Sequence, residues 1–274
     1  MIRNLKYEPR VLMHTKPGKA HPLIQLVLTR KTTILLWLSV VFFFAPILNE
    51  VSAQRRFSRN YPATRNVRLQ LLNRSGTVEV EGWDRPEISI SAYLENPAAN
   101  IAPQSLSGTI YIDLVKDNQG RNGVGNVNFV IKVPRLSIVD IETRMGNLSV
   151  TNINGGLVRA MISTEGDITL TNIGAGAVDA QNGIGDIFFD GEMRSGGHYR
   201  FTSIRGNINL RIPFNSSFRL VATAPSTRNI SLGSFGNSNM NLLGNGRSVV
   251  GRFGNGSSTL TITNHRGSIS FIRR

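Results

Sequence analysis

The chain has 274 residues, 40% of them hydrophobic, 7% aromatic and 18% charged, which excludes an intrinsically disordered protein and allows one or two domains. Cysteine is absent, so disulfides and a lipoprotein anchor are excluded and stability must come from packing and backbone pairing. The formal net charge of +14 would attract anionic partners such as lipopolysaccharide, teichoic acids, acidic polysaccharide or nucleic acid. Scattered arginine also serves the solubility of an exported β-protein, and no basic run interleaved with aromatics supports nucleic-acid binding.

In chain order, the first feature is the apolar run 32–48, preceded by Arg30-Lys31 and followed by Val51-Ser52-Ala53. A basic region, an apolar core and a small-x-small site predict a signal peptide over 1–53, with a long n-region and cleavage after Ala53. An uncleaved anchor is the alternative, because the run is at the short edge of what spans a bilayer. Gln54 to Asn66 is polar, basic and without periodicity, and reads as a linker. From Gln54 onward 24 basic residues face 15 acidic ones, and only Lys116 and Lys132 are lysine.

Residues 67–136 carry strand patterns and read as N-terminal strands and a cap. Leu69 and Leu71, then Val78 and Val80, alternate with polar residues around Gly76. Ile88–Ala92, Thr109–Val115 and Asn126–Val133 continue the pattern, separated by Pro-, Asn- and Gly-rich loops.

Residues 137–232 carry a repeat. Gly146-Asn-Leu-Ser-Val, Gly166-Asp-Ile-Thr-Leu, Gly185-Asp-Ile-Phe-Phe and Gly206-Asn-Ile-Asn-Leu place their glycines 20, 19 and 21 residues apart. A period near 20 is the signature of a solenoid. Apolar residues fall at −7, −5, +2 and +4 from each glycine, as in Val139, Ile141, Leu148 and Val150. The unit at Gly166 is one residue longer in its first arm, which predicts a bulge. A second corner repeats as Thr151-Asn-Ile-Asn-Gly-Gly and Thr171-Asn-Ile-Gly-Ala-Gly, and Arg228 stands in a glycine slot, where the corner must be strained or differently turned. Residues 233–274 comprise a Gly/Asn-rich excursion and the closing strands Leu260–Thr263 and Ser268–Ile272, with Arg273-Arg274 guarding the last edge.

These residues resemble a known family. Val78-Glu-Val-Glu-Gly-Trp-Asp-Arg-Pro, the Lys132-Val-Pro lead-in, the Gly-[Asn/Asp]-Ile repeats and the closing Gly251-Arg-Phe-Gly-Asn-Gly … Leu260-Thr-Ile-Thr-Asn-His-Arg-Gly-Ser-Ile-Ser-Phe271 are similar in order and spacing to the bacterial adhesin-like family DUF4097. The resemblance implies an exported, mostly parallel β-solenoid without enzymatic activity, and it brings no functional residues with it. The fold class expected is therefore all-β, a mostly parallel β-helix or solenoid with rungs of about 20 residues, capped at its N-terminal end by strands and preceded by a signal helix.

No catalytic, cofactor-binding or metal-binding residue is assigned from the sequence. Asp167 and Asp186 occupy equivalent corners of adjacent rungs, and such a pair can serve acid–base chemistry on a glycoside. Asn147, Asn207, Asn229 and Ser268 fill the same position elsewhere, so the position asks for a turn-former. Asp179, Asp190 and Glu192 form a loose acidic group without calcium-binding spacing. His198 and His265 are isolated. Gly244-Asn-Gly and Gly254-Asn-Gly lack the Lys-Ser/Thr of a phosphate loop. Trp83 is either a sugar platform or a cap on the core. Three functions remain: a non-enzymatic exported solenoid binding an anionic polysaccharide, envelope polymer or protein through its outer faces; a carbohydrate-active solenoid enzyme; and a structural protein of the envelope. No cofactor is expected, and a membrane contact only through an uncleaved signal segment. The location expected is the periplasm, the outer cell surface or the extracellular space.

Overall fold

The computed structural model describes residues 55–274 except Ser238, and their regular elements are nearly all strands, with almost no helix. The signal segment expected over 1–53 lies outside the described residues. Among the described residues no helix is long and apolar enough to cross a membrane.

The first strands are β1 (Arg55–Pro62), β2 (Arg68–Ser75), β3 (Val78–Trp83), β4 (Glu87–Leu94), β5 (Gln104–Leu106), β6 (Thr109–Asp113) and β7 (Val127–Pro134), with one helical turn at Leu114–Asp117. The middle is β8 (Ile138–Met145), β9 (Leu148–Thr151), β10 (Leu157–Glu165), β11 (Ile168–Ile173), β12 (Ala177–Ile184), β13 (Ile187–Gly191), β14 (His198–Arg205) and β15 (Ile208–Ile212). The last are β16 (Phe218–Thr223), β17 (Ile230–Ser231), a 3-10 turn at Gly233–Asn237, β18 (Asn239–Leu243), β19 (Ser248–Phe253), β20 (Ser258–Asn264) and β21 (Ile269–Arg273).

Each repeat is two strands joined at the glycine corner, the first arm in one sheet and the second in the other. The first arms lie in an 11-stranded sheet of order β18-β19-β16-β20-β14-β12-β10-β8-β2-β6-β5. The second arms lie in a 10-stranded sheet of order β1-β4-β7-β3-β9-β11-β13-β15-β21-β17. Neighbouring rungs pair parallel and in register, so Val139, Val158, Val178 and Tyr199 align in one row and Leu148, Ile168, Ile187 and Ile208 in another. These rows are buried between the sheets, and each fully buried aliphatic side chain contributes about 1.5–3 kcal/mol. The bulge expected in the long repeat is present as a register shift between Ile162 and Glu165.

The stacking order departs from chain order at both ends. β2 and β3 pair directly with β8 and β9, while β6 and β7 lie outside them. Leu69, Leu71, Val78 and Val80 therefore belong to a regular internal rung, not to a cap preceding the repeats. At the other end β20 and β21 pair with β14 and β15 on one side, and with β16 and β17 on the other. The last strand is thus internal, and Arg273-Arg274 does not guard an open edge. Arg274 Nε lies 3.4 Å from Asp190 Oδ1, and the Arg273 guanidinium sits 5.0 Å from the centre of the Phe214 ring.

Antiparallel strands close the stack at three of its four sheet ends, β4 on β7 and β1 on β4, β5 on β6, and β19 on β16 with β18 on β19, while the short β17 closes the fourth parallel to β21. The segment expected as a linker over 54–66 is corrected by β1. Its sequence gives little periodic signal because only Phe57 and Tyr61 pack on the core. The backbone ladder to β4 holds it, and its arginines and Pro62 suit an edge. At the other end the Gly/Asn-rich excursion forms the β18–β19 hairpin, and Phe214, Phe218, Phe235, Phe253 and Phe271 close the core.

Candidate functional site

The repeated corner accounts for its own acids. Along the ridge, the Asp167 N–H donates to Asn147 Oδ1 (3.0 Å), the Asp186 N–H to Asp167 Oδ1 (2.8 Å), the Asn207 N–H to Asp186 Oδ1 (2.7 Å) and the Ser268 N–H to Asn207 Oδ1 (3.1 Å). Each carboxylate or amide oxygen caps the backbone of the next rung, a task that Asp and Asn perform alike. Beside them Gly146, Gly166, Gly185, Gly206 and Gly267 stack at positive φ, each Cα against the carbonyl of the glycine in the neighbouring rung. Arg228 adopts φ +58° in the outermost rung, against +106° to +147° at the five stacked glycines, so its corner is left-handed but differently turned, and neighbouring Thr227 donates from Oγ1 to the Gly267 carbonyl (2.6 Å). The second corner has its own ladder: Asn152 and Asn172 have φ of 61° and 53°, and Asn172 Nδ2 donates to Asn152 Oδ1 (2.7 Å).

An inward polar row also lines the corner, three residues before Gly76, Gly146, Gly185, Gly206 and Gly267, and the bulged repeat at Gly166 interrupts it with exposed Ser163. Asn73, Thr143, Asn182, Ser203 and Asn264 are buried there. Asn182 Nδ2 donates to the Gly166 carbonyl (2.8 Å) and Asn264 Nδ2 to the carbonyls of Gly206 and Ser268 (both 2.9 Å). These residues carry the same period as the apolar frame. Reading only the apolar positions passes over them.

The other acids are spread out. Asp190 is buried beneath Arg211 (2.7 Å) and Arg274, Asp140 lies between Arg68 (2.9 Å) and Arg159 (3.4 Å), and Asp179 accepts from Gln181. The hydrogen bond that Arg211 donates to Asp190 raises the guanidinium pKa above its ordinary value. Glu192 is exposed. His198 Nδ1 lies 2.9 Å from Thr259 Oγ1, and His265 is exposed. Among the described residues no group of three or more His, Asp or Glu is placed to hold a metal ion. Gly254-Asn-Gly256 folds onto Ser217, whose Oγ accepts from the Gly256 N–H (2.8 Å), and Gly244-Asn-Gly246 is the tip of the β18–β19 hairpin.

A cleft of about 430 Å³ opens where β3 and β7 end. Gly82 brings the end of β3 so close to the Asn152 carbonyl that no Cβ fits, and the next residue, Trp83, is left half-exposed in the cleft. The indole Nε1 donates to the Glu87 carbonyl (2.8 Å), which fixes the ring. The Arg85 guanidinium lies 5.0 Å from the ring centre and Lys132 Nζ 5.8 Å. Across the mouth Arg135 forks onto Asp84 (2.7 and 3.2 Å), and this hydrogen bond raises its pKa still further. Pro86, Pro134 and Leu136 supply an apolar flank, and Arg65 is exposed with no ion pair among the described residues. Sequence reasoning picked out Trp83 alone. Arg65 and Arg135 are 18 and 52 residues from it: Arg135 meets it because β7 pairs with β3, and Arg65 because β1 pairs with β4 and the Ala63 N–H bonds the Pro86 carbonyl.

The sequence of residues 61–271 matches the Toastrack DUF4097 family. The chain belongs to this family. Solved structures similar to this Toastrack protein include a candidate cell adhesion protein from Clostridium sporogenes (10% identity, TM-score 0.48, covering 81% of this chain and 100% of that one). Others are a candidate adhesin from Bacteroides fragilis (10%, 0.39, 81% and 99%) and a candidate lipid-binding protein from Parabacteroides distasonis (11%, 0.36, 81% and 95%). No curated protein matches the sequence.

Proposed function

We propose that this Toastrack protein is an exported, non-enzymatic, adhesin-like solenoid that binds an acidic glycan of the cell envelope or extracellular space in the Trp83 cleft. The observation that carries the reading is a fixed, half-exposed indole flanked by prolines and bordered by Arg65, Arg85 and Arg135. A sugar ring packs on apolar faces while guanidinium groups take its carboxylate or phosphate. Two features support a reading without chemistry on the bound sugar. The cleft holds one carboxylate, Asp84, already engaged by Arg135, and the paired corner acids Asp167 and Asp186 are spent on backbone N–H groups.

A screen of the protein against uronate-containing, phosphate-containing and neutral glycans, each with a salt titration, tests the proposal. Acidic glycans should bind, the affinity should fall with salt, and Trp83→Ala should weaken binding about tenfold, equivalent to about 1.4 kcal/mol. Binding that ignores both salt and the Trp83 substitution would sink it.

A further inference from the structure

All 17 acidic residues precede Met193, and residues 193–274 contain 11 arginines and no carboxylate side chain. In the fold this segment builds the C-terminal end of the stack, from β14 to its last strands. Of those arginines Arg211 and Arg274 are partly neutralised by Asp190. The others have no acidic partner among the described residues.

The register of β16, β19 and β18 arranges part of this surplus on one outer face. Arg219 stands opposite Arg252, and in the next outward row Val221 stands opposite Val250. Leu243 lies opposite Ser248 in the row after that, followed by Arg247 at the hairpin tip. All of these except Ser248 are exposed, Val221 at 43%, Val250 at 36% and Leu243 at 51%. The face is therefore amphiphilic: guanidinium groups on two sides of a small aliphatic strip, with Asp179 beside Arg200 on β12 and β14 the nearest carboxylate in the sheet register.

Three occupants can be weighed by chemistry. A second copy meeting the same end would bring one acid-free surface against another, and like charges oppose that contact. A soluble polyanion would use the arginines but leave the aliphatic strip in water. An anionic bilayer surface uses both, since headgroup phosphates take the arginines and the interfacial region takes short aliphatic side chains. We propose that the outer face of β16, β19 and β18 docks on an anionic lipid surface, with Arg219, Arg252 and Arg247 on phosphates and Val221, Val250 and Leu243 at the interface. This face is at the opposite end of the stack from the Trp83 cleft and does not depend on what the cleft binds.

The absence of cysteine allows single-site labelling. In the full chain Asn241→Cys, in the Val221–Val250 row, carries an environment-sensitive fluorophore, and Ser105→Cys on β5 serves as the distant control. The apolar amino-terminal segment can itself enter a bilayer, so the readout is the local spectral shift, not co-sedimentation. Vesicles of phosphatidylcholine with phosphatidylglycerol should blue-shift the probe at 241 and not at 105, and phosphatidylcholine alone should shift neither. Added salt should reverse the shift, and R219Q/R252Q should weaken docking about 25-fold, about fivefold per arginine. Vesicle association with no shift at 241, equal shifts at both positions, or a shift on neutral vesicles overturns the proposal. So does R219Q/R252Q-sensitive binding of soluble polyphosphate without any vesicle shift, which assigns the face to a polymer, or a dimer that buries position 241.

Discussion

Gly185→Ala tests the corner ladder most directly. Gly185 has φ +128°, and an added Cβ would collide with the Gly166 carbonyl oxygen, with the carbonyl carbon 2.7 Å away and Asp167 Oδ1 2.8 Å away. The left-handed backbone alone costs an L-residue about 1–2 kcal/mol. Relieving the clash requires the rungs to separate, which strains the Asp186 N–H to Asp167 bond and the Gly166 N–H to Ile184 carbonyl bond (2.9 Å), each worth about 1 kcal/mol. Together these predict a loss of about 3–4 kcal/mol, within the range of severe single substitutions. Gly156→Ala is the internal control. Gly156 has no positive φ, and the nearest atom to its Cβ position is Ile138 Cγ1 at 3.9 Å, so a change within about 1 kcal/mol is expected. Guanidinium unfolding followed by circular dichroism reads both. If Gly185→Ala unfolds within about 1 kcal/mol of Gly156→Ala, the stacked-glycine account of the corner is wrong.

The ridge acids should be replaceable. Asp186→Asn should change stability by less than about 0.5 kcal/mol, whereas Asp186→Ala should cost about 1 kcal/mol by freeing the Asn207 N–H, measured in the same unfolding assay. Phe235→Ala should cost about 3–5 kcal/mol, because its ring is fully buried against Phe253 at 4.9 Å and Phe271 at 5.9 Å. Hydrogen exchange should then accelerate first in β16 to β21. At Asp113 burial pushes the carboxyl pKa up, but the backbone N–H groups of Lys116 and Val115 and the Tyr111 hydroxyl outweigh it and hold the pKa below the ordinary carboxylate value. A lowered native pKa means stability that is present above the carboxylate range and lost as pH falls through it. Asp113→Asn should therefore flatten the acid limb of an unfolding-midpoint profile against pH, and an unchanged limb would contradict the assignment.

The glycine period, the apolar frame, the bulge before Glu165 and the departure of the corner at Arg228 were all legible in the sequence, because each is a local consequence of corner geometry or side-chain alternation. Strand order was not. The inward rows of the first rung, Leu69, Leu71, Val78 and Val80, have the same chemistry as those of any other, so nothing local says that β2 and β3 sit against β8 and β9. The closure of the C-terminal end was hidden for a related reason. Phe214 and Phe235 lie outside the strands and Phe253 at the very end of β19, and they converge only when the last strands close the core. The Trp83 cleft was half legible, since Trp83 and Arg85 share a recognisable turn but Arg65, Lys132 and Arg135 come from segments distant in sequence.

The displaced end rungs explain how a stack of short strands resists unravelling. A solenoid laid down in chain order would end in a rung held on one side, and fraying could pass inward one rung at a time. Here β20 and β21 are each paired on both sides, so releasing the carboxyl terminus breaks two ladders in each sheet. β2 and β3, the first regular rung in the sequence, are likewise paired on both sides. The outermost positions fall to strands tied down within the chain: β17 leads into the turn that plants Phe235 in the core, and β18 is joined by a tight hairpin to β19. Protection of the ends thus comes from topology, which leaves the outer surface of the terminal strands free to carry Arg219, Val221, Val250 and Arg252 in place of residues that only guard an edge.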